Sequence, residues 1–195
     1  IITKTETDEL ASVATYEEGE LDNHIGYIAA NKGTTIEARN LFYNYTMRLQ
    51  GINPNAEAKK ITDIISKYSV IYPHISFIVH CNKKETLMTY GQMSNSESVL
   101  RLLLGFDDIH FFRCNFELNG GIYVELFLSE PNTKVKKKTN ALFINGRLVK
   151  NDLLTKSIEE AYTQNTVFGG CCTLQFSFIT MIIPPNNIDV NIHPK

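Results

Sequence analysis

The chain has 195 residues, 43% of them hydrophobic and 21% charged, with a formal net charge of -2. These values are ordinary for a protein with a hydrophobic core, and the balanced charge excludes a wholesale polycation. No apolar run approaches the roughly 18 residues of a membrane-spanning helix, so we expect no membrane partner. No signal-peptide pattern opens the chain. The first residue is not methionine, and we expect a piece of a longer protein.

The first half of the chain predicts short strands, one helix and a hairpin. Gly33 allows either a positive φ or the close approach of a ligand to the backbone. The elements are strands at 1–7 and 12–16, a turn and short strand at 31–37, a helix capped by Asn55, and strands at 75–80 and 85–90. The apolar residues expected on the buried face of that helix are Ala58, Ile61, Ile64, Ile65 and Tyr68.

The second half predicts hairpins and two further helices. A capping box at 94–97 begins a short helix that Gly105 ends, and Asp152 caps a longer helix. The strands are 109–118 and 122–128 around a turn at 119–121, 142–144 and 147–149 around Asn145-Gly146, and 174–183. The buried face expected for the longer helix is Leu153, Leu154, Ser157, Ile158, Ala161 and Tyr162. We predict two α+β domains, 1–92 and 93–195.

The last residues predict a strand that ends in a cation. Ile188, Val190 and Ile192 alternate with polar residues, and Pro194 stops the strand directly before Lys195. A strand can hold a lysine rigidly toward a phosphate, and the alternative is an edge strand with a solvated lysine.

Six bases lie between residues 131 and 151 without an intervening acid. They are Lys134, Lys136, Lys137, Lys138, Arg147 and Lys150. If the loop and the following turn fall on one side, these bases form a patch suited to the phosphate backbone of nucleic acid. The run has no interleaved aromatic residue to stack on single-stranded bases. The alternative is a solvated loop.

The chain holds no complete catalytic or metal-binding motif. It has no phosphate-binding loop of the GxxxxGK[ST] type, no HExxH and no GxSxG. The four cysteines lack Cys-x-x-Cys spacing and the five histidines form no i,i+4 pair. We therefore predict no metal ligand, and buried, reduced thiols in an intracellular protein.

Four stretches together resemble the MutL family of DNA mismatch repair ATPases. Residues 31–36 and 41–44 resemble the family's Gly-Thr and Leu-Phe-x-Asn segment, and residues 64–70 resemble the helix after it in eukaryotic homologues. Residues 142–149 resemble the family's Phe-Ile-Asn-Gly-Arg-Leu-Val strand and turn. Residues 188–194, Ile-Asp-Val-Asn-Ile-His-Pro, resemble its Val-Asp-Val-Asn-Val-His-Pro strand. The eukaryotic MLH type looks nearest.

The resemblance implies the fold. Residues 1–92 would be the C-terminal part of a GHKL-type ATPase α/β sandwich, and residues 93–195 a ribosomal-S5-domain-2-like α/β domain. In the family, the catalytic Glu and the Mg-binding Asn precede the point where this chain begins. The resemblance therefore assigns no catalytic residue here.

The resemblance also implies three nucleotide-binding residues, Gly33, Thr34 and Lys195. The family's phosphate-contacting lysine follows His-Pro after one intervening residue, whereas Lys195 follows Pro194 directly. The contact falls on Lys195 or on a lysine one place further. Arg48 matches the arginine of the family's Pro-x-Arg motif, but this chain has no proline at the first position of that motif.

The implied function is an ATP-driven switch that dimerises and binds duplex DNA without reading its sequence. ATP and Mg would bind the full-length protein, and neither is expected to bind this chain tightly. The implied partners are a PMS-type MutL homologue in a heterodimer, a MutS-type mismatch recognition complex and duplex DNA, in the nucleus. An alternative is a DNA- or partner-binding module without catalytic activity. A metabolite kinase fits less well, because the chain lacks a glycine-rich phosphate loop. A type II topoisomerase subunit fits less well, because the chain carries the Asp-Val-Asn-Ile-His-Pro motif.

Overall fold

The computed structural model describes residues 1–22, 24–92, 95–105, 110–131, 133–135, 138–165 and 173–188. The chain divides into two compact units, Ile1–Asn53 and Pro54–Lys195. The sequence-based boundary near residue 93 stays a prediction, and residues 54–92 lie in the second unit. No helix among the described residues is long and apolar enough to cross a membrane.

The first unit is a small antiparallel sheet with a hairpin and one short helix. Its elements are β1 (Ile2–Lys4), β2 (Ala11–Val13), β3 (Tyr16–Glu17), β4 (Glu20–Leu21), β5 (Gly26–Ile28), β6 (Gly33–Thr35) and α1 (Thr46–Gln50). The sheet order is β5-β2-β1-β6, and β3 pairs with β4. The β3–β4 turn contains Glu18 and Gly19, both at positive φ. Among the described residues of this unit, Ala11 is the one buried apolar side chain.

The second unit contains three helices, a five-stranded sheet and a hairpin. Its elements are α2 (Pro54–Ile71), β7 (Ile78–Cys81), β8 (Lys84–Met88), α3 (Ser96–Leu104), β9 (Phe111–Leu118), β10 (Ile122–Ser129), β11 (Thr139–Ile144), β12 (Arg147–Val149), α4 (Asp152–Asn165), β13 (Phe176–Ile182) and a 3₁₀ turn, Pro185–Asn187. The sheet order is β12-β11-β13-β10-β9, with β11 and β13 parallel. Parallel neighbours need a crossover connection, and α4 lies within it.

Helices cover both faces of the five-stranded sheet. One face packs on α2 and α3, and its buried residues include Phe143, Phe176 and Phe178. The other face carries Val124, Leu142 and Ile179, which pack with half-buried residues of α4. Alternate residues of β11 and β13 therefore point into different cores, as the period of a strand requires.

Two predicted helix faces are wrong in part because the contact with the sheet selects a rotated face. In α2, Ile61 is 50% exposed, Ile64 is also exposed, and the buried residues are Ser69 and Val70. In α4, Leu154 and Ile158 face the sheet. The predicted members Leu153, Ser157 and Ala161 are exposed. Helical spacing defines several stripes, and only the packing partner decides among them.

The predicted caps also differ from the observed ones. Helix α2 begins at Pro54, so Asn55 lies in its first turn. Helix α3 is capped by Asn95, whose side chain accepts from the Ser98 N–H at 2.9 Å. Asn151 accepts from the Leu154 N–H at 3.0 Å and caps α4, and Asp152 is the first helical residue. The cap at Ser94 was predicted on a residue outside the described ones.

The predicted hairpins and the end of α3 are confirmed. The β9–β10 turn holds Gly120 and Gly121 at positive φ, and the β11–β12 turn holds Asn145 and Gly146 at positive φ. Gly105 ends α3 in the left-handed conformation. Strands β4 and β5 and helix α1 were not predicted. The prediction of buried thiols is wrong for Cys114, which is exposed, and Cys81 is half-buried. The final strand and Lys195 lie outside the described residues, except for Ile188.

Candidate functional site

Gly33 and Thr34 lie on β6, an edge of the described part of the first sheet. Gly33 pairs with Lys4 and Thr34 pairs with Thr3 of β1. Gly33 has a φ of +129°, and a Cβ added to it would meet nothing within 4 Å. Glycine is therefore required by the backbone conformation and not by crowding. The strand exposes this backbone to an approaching ligand.

The polar groups around Gly33 are engaged with one another. The hydroxyls of Thr3 and Thr34 share a hydrogen bond of 2.8 Å. The Lys4 ammonium donates to the Glu9 carbonyl at 2.8 Å, and Lys32 forms an ion pair with Glu6. A phosphate at this edge would compete with an exposed carboxylate for Lys32. Such exposed ion pairs contribute little to stability and exchange readily.

The Leu-Phe-x-Asn segment that follows β6 forms consecutive tight turns. Asn40 and Phe42 have φ values of 51° and 64°. A left-handed conformation is unusual for a bulky residue such as Phe42 and stores local strain. The guanidinium carbon of Arg48 lies 4.7 Å from the centre of the Phe42 ring. Arg48, the residue that the family pattern keeps, thus holds the strained turn through a cation–π contact.

Tyr43 connects this segment to the β3–β4 hairpin within the first unit. Its hydroxyl donates to a carboxylate oxygen of Glu18 at 2.6 Å. The Glu18 carboxylate raises the pKa of Tyr43, because the hydrogen bond needs the phenol proton and negative charge opposes its loss. The contact ties the turn segment to the β3–β4 turn, which contains Glu18.

The described members of the basic set do not all lie together. Leu142 pairs with Val149 and Ile144 pairs with Arg147, so Arg147 lies at the turn end of the β11–β12 pair. Lys150 follows β12 in the opposite direction, level with Ala141, and Lys138 lies three residues further along, directly before the first residue of β11. Lys150 is thus three strand residues, or about 10 Å, from Arg147 in one direction and from Lys138 in the other, and Arg147 is about twice as far from Lys138.

Lys134 lies at the same end of the sheet as Lys138 and Lys150. The Thr133 N–H donates to the Glu130 carbonyl at 3.2 Å, which places this loop directly after β10. Strand β10 ends where β13 begins, since Leu128 pairs with Ser177. Lys136 and Lys137 lie outside the described residues. We call Lys134, Lys138 and Lys150 the basic end of the sheet.

Acidic residues partly neutralise the basic end. Lys138 forms an ion pair with Glu159 of α4 at 2.8 Å, and the Asn140 amide donates to the same carboxylate at 3.1 Å. The hydrogen bond from Lys138 is the main reason that the pKa of Glu159 lies below its usual range. Lys150 pairs more loosely with Asp152, at 3.5 Å. Sequence reasoning missed Glu159 because it lies on another element.

Within the described ranges, no group of three or more His, Cys, Asp or Glu side chains could hold a metal ion. The groups that could contact a nucleotide are the exposed backbone of Gly33 and the hydroxyl of Thr34. The groups that could contact a phosphodiester backbone are the ammonium groups of the basic end. The two sets lie in different units of the chain.

Residues 110–195 match the family model described as the C-terminal domain of DNA mismatch repair proteins. The DNA mismatch repair protein MutL of Lactococcus lactis subsp. cremoris (strain SK11) is 34% identical over 175 residues, 86% of this chain and 25% of the relative. MutL of Dictyoglomus turgidum is 30% identical over 194 residues, 98% of this chain and 33% of the relative. The chain thus spans about a quarter to a third of the length of these curated relatives.

The ADP-complexed MutL ATPase domain of Aquifex aeolicus has a similar structure, with a TM-score of 0.70 over 94% of this chain and 66% of that chain at 18% identity. A second structure of the ATPase domain of A. aeolicus MutL gives a TM-score of 0.64 at 19% identity, over 98% of this chain and 68% of that chain. At such identity the likeness shows the fold, which is the α+β fold of GHKL-type MutL ATPase domains. The sequence matches support a DNA mismatch repair protein of the MutL family, with residues 110–195 matching the family model and 86–98% of the chain similar to bacterial MutL.

Proposed function

We propose that this chain works within an ATP-driven conformational switch of DNA mismatch repair. The observation that carries the proposal is the match over 94% of the chain to an ATPase domain whose structure contains ADP. Gly33 and Thr34 then have a role that their exposure on β6 fits, since an open glycine backbone can approach a phosphate closely. ATP binding would bring two copies of the N-terminal region together, and hydrolysis would reset them.

The chemistry of nucleotide turnover would be divided between this chain and the rest of the protein. When bound, Mg²⁺ would neutralise the phosphates and activate ATP for attack by water. The Asn that holds Mg²⁺ and the Glu that activates water are expected outside this chain. Within it, Thr34 would orient the nucleotide, and Lys195 or a lysine one place further would neutralise charge on the terminal phosphate.

The basic end of the sheet would bind duplex DNA through its phosphates. The contacts would come from the positive charges of Lys134, Lys138 and Lys150, and no aromatic residue is interleaved with the lysines of the run to contact the bases. Binding would therefore not depend on base sequence. Lys136 and Lys137 would add to this surface, and Arg147 would lie at its margin. Neutralisation of phosphates releases counterions, so affinity would fall steeply with salt.

The partners and location belong to the same proposal. We propose a PMS-type MutL homologue as the heterodimer partner, a MutS-type complex as the source of the mismatch signal, and the nucleus as the compartment. The support is the resemblance of the motif at residues 188–194 to that of MLH-type homologues. The curated relatives reported above are bacterial, so this finer assignment rests on residues 188–194 and on the resemblance of residues 64–70 to eukaryotic homologues.

A second candidate is a DNA- or partner-binding module with no activity of its own. It is favoured because the basic end belongs to the second unit, whereas Gly33 and Thr34 belong to the first. Binding of an ATP analogue to the full-length protein, compared with a Thr34→Val variant, separates the two functions. The switch requires binding that Thr34→Val weakens, and a full-length protein that binds no ATP leaves only the module.

DNA binding is tested by charge reversal in the basic run. Changing Lys136, Lys137 and Lys138 to Glu should weaken duplex binding at least tenfold at low salt and flatten its salt dependence. A matched control reverses three lysines elsewhere in the second unit, Lys59, Lys83 and Lys84, and should change binding much less. Unchanged affinity of the first variant at low salt would contradict DNA binding by this surface.

A further inference from the structure

Strand β9 is an edge of the five-stranded sheet in the part of the chain that the structure describes. It pairs with β10 on one side through eight consecutive residue pairs, from Phe111 to Leu118. No described strand pairs with its other side. Backbone N–H and C=O groups on that side are therefore available to a further strand.

The sequence of β9 lacks the features that usually prevent an edge from pairing. Proteins protect their edges with proline, lysine, bulges or very short strands. Strand β9 reads Phe-Phe-Arg-Cys-Asn-Phe-Glu-Leu, without proline or lysine, and its pairing with β10 has no register shift over eight residues. Its two charged residues, Arg113 and Glu117, have opposite signs. An edge of this kind favours the addition of a strand.

One face of β9 carries an apolar strip outside the core beneath α4. Phe112, Phe116 and Leu118 are 48%, 42% and 46% exposed. Cys114 is also exposed and shares their face, because residues two apart in a strand point the same way. Val124 of β10 lies opposite Phe116 and is buried in that core. The strip therefore extends the apolar surface of the sheet beyond the strands whose residues pack with α4.

The opposite face of β9 carries its two charges. The Arg113 guanidinium donates to the Glu125 carboxylate at 2.8 Å, and its central carbon lies 5.5 Å from the centre of the Phe127 ring. These contacts hold Arg113 on this face of the sheet. Glu117 is four residues further along and shares the face. Arg113 and Glu117 are thus placed symmetrically about Asn115.

This symmetry makes the charges of β9 complementary to those of a second β9. When two copies pair antiparallel with Asn115 opposite Asn115, Arg113 of each copy lies opposite Glu117 of the other. Opposite charges directly across a strand pair are stabilising, and like charges are destabilising. A shift by two residues would place Arg113 opposite Asn115 or Asn119 instead. The charges therefore favour one register.

The same register also matches the apolar strips. Phe112 of each copy lies opposite Leu118 of the other. Cys114 likewise lies opposite Phe116. Apolar residues directly across a strand pair contact each other and lose exposed surface. Both faces of β9 are thus satisfied by one and the same partner, a second copy of the strand.

We propose that β9 is a self-association edge through which two copies of this chain join their sheets. The two five-stranded sheets become one continuous sheet, with a two-fold axis at Asn115 and the same surface used by both copies. The inference goes beyond the proposed function, because β9 contains none of the residues assigned there to nucleotide or DNA. Pairing through β9 requires no nucleotide.

Complementary charge reversals test the pairing in the full-length protein, purified alone and without nucleotide. Arg113→Glu and Glu117→Arg should each weaken self-association about tenfold in sedimentation experiments, because like charges then face each other at two places. An equimolar mixture of the two variants should restore it, since every facing pair is again of opposite sign. Lys84→Glu and Glu85→Arg, on exposed positions of β8, form the control pair and should leave self-association unchanged.

Disulfide trapping tests the register. In a Cys114→Ser background, Asn115→Cys places two thiols directly opposite each other, with Cα atoms about 5 Å apart, which suits a disulfide. Asn119→Cys in the same background is the control, because the two copies of residue 119 lie far apart in this register. Oxidised glutathione should link Asn115→Cys into a covalent dimer and leave Asn119→Cys unlinked.

The outcomes separate this inference from the proposed switch. A native protein that stays monomeric without nucleotide would overturn pairing through β9, as when another segment of the same protein covers the edge. Equal trapping at residues 115 and 119, or a variant mixture that associates no better than either variant alone, would also overturn it. Each of these results leaves ATP turnover and the proposed function untouched.

Discussion

The hydroxyl oxygen of Tyr72 lies 2.7 Å from the point where a Cβ on Gly146 would be, although the two residues are far apart in sequence. Glycine at position 146 thus serves both a left-handed turn, with a φ of +78°, and a close contact with Tyr72, the residue directly after α2. This contact joins the β11–β12 turn to the C-terminal end of α2, the helix that begins the second unit.

Gly146→Ala should destabilise the second unit by about 2 kcal/mol, because it adds both a strained φ and a clash with Tyr72. Urea unfolding measures the change. Gly105→Ala is the control for φ alone, since Gly105 has a φ of +74° and open space around it. Equal losses in the free energy of unfolding for the two variants would show that the clash with Tyr72 does not contribute to the destabilisation.

Tyr68→Phe should cost about 1 kcal/mol, because it leaves the half-buried Leu148 N–H without its acceptor. The Tyr68 ring keeps its edge contact with Phe143 in this variant, so packing is preserved. Tyr90→Phe, on an exposed tyrosine, controls for the loss of a hydroxyl. The free energy of unfolding in urea should separate the two variants, and a neutral Tyr68→Phe would refute the hydrogen bond.

Glu159→Gln should lower the melting temperature at neutral pH but not in acid. The folded state holds the pKa of Glu159 below its ordinary value of 4.5, so its charge stabilises the fold above that value. The contribution is lost as the pH falls through the folded-state pKa. Melting curves across this range test the direction, with Glu160→Gln as the control on the exposed neighbour. A difference that persists unchanged in acid would contradict the Lys138 ion pair as its cause.

Lys134→Glu should weaken duplex binding more than Arg147→Glu, because Arg147 lies at the opposite end of the β11–β12 pair from the basic end. Both variants change the charge by the same amount, so each controls for the other. Glu159→Gln should strengthen binding, since it frees Lys138 from its carboxylate partner. Affinities at two salt concentrations decide the order. A larger loss for Arg147→Glu would place the DNA surface elsewhere.

Local chemistry explains which elements could be predicted from the sequence. Asn145-Gly146 and Gly120-Gly121 supply the positive φ values that their hairpins need, and no distant residue is required to recognise them. The sequence likewise indicates that Gly33 can adopt a positive φ, and its observed φ of +129° confirms this conformation.

Distant partners explain what could not be predicted. The buried face of α2 depends on which stripe meets the sheet, so Ile61 and Ile64 were placed inside although they are exposed. The side chain of Asn145 hydrogen-bonds to Ile183, 38 residues away in the sequence. The neutralisation of Lys138 depends on Glu159 of another element. Residues that meet across the fold leave no local pattern to read.

The most direct test of the proposed switch is the ATP turnover of the full-length protein after Lys195, and any lysine one place beyond it, is changed to Met. We expect kcat to fall about a hundredfold, as when a charge-stabilising donor is removed from a transition state, with ADP affinity unchanged. Turnover at the native rate would contradict the delivery of a cation from the C-terminal segment to the bound triphosphate.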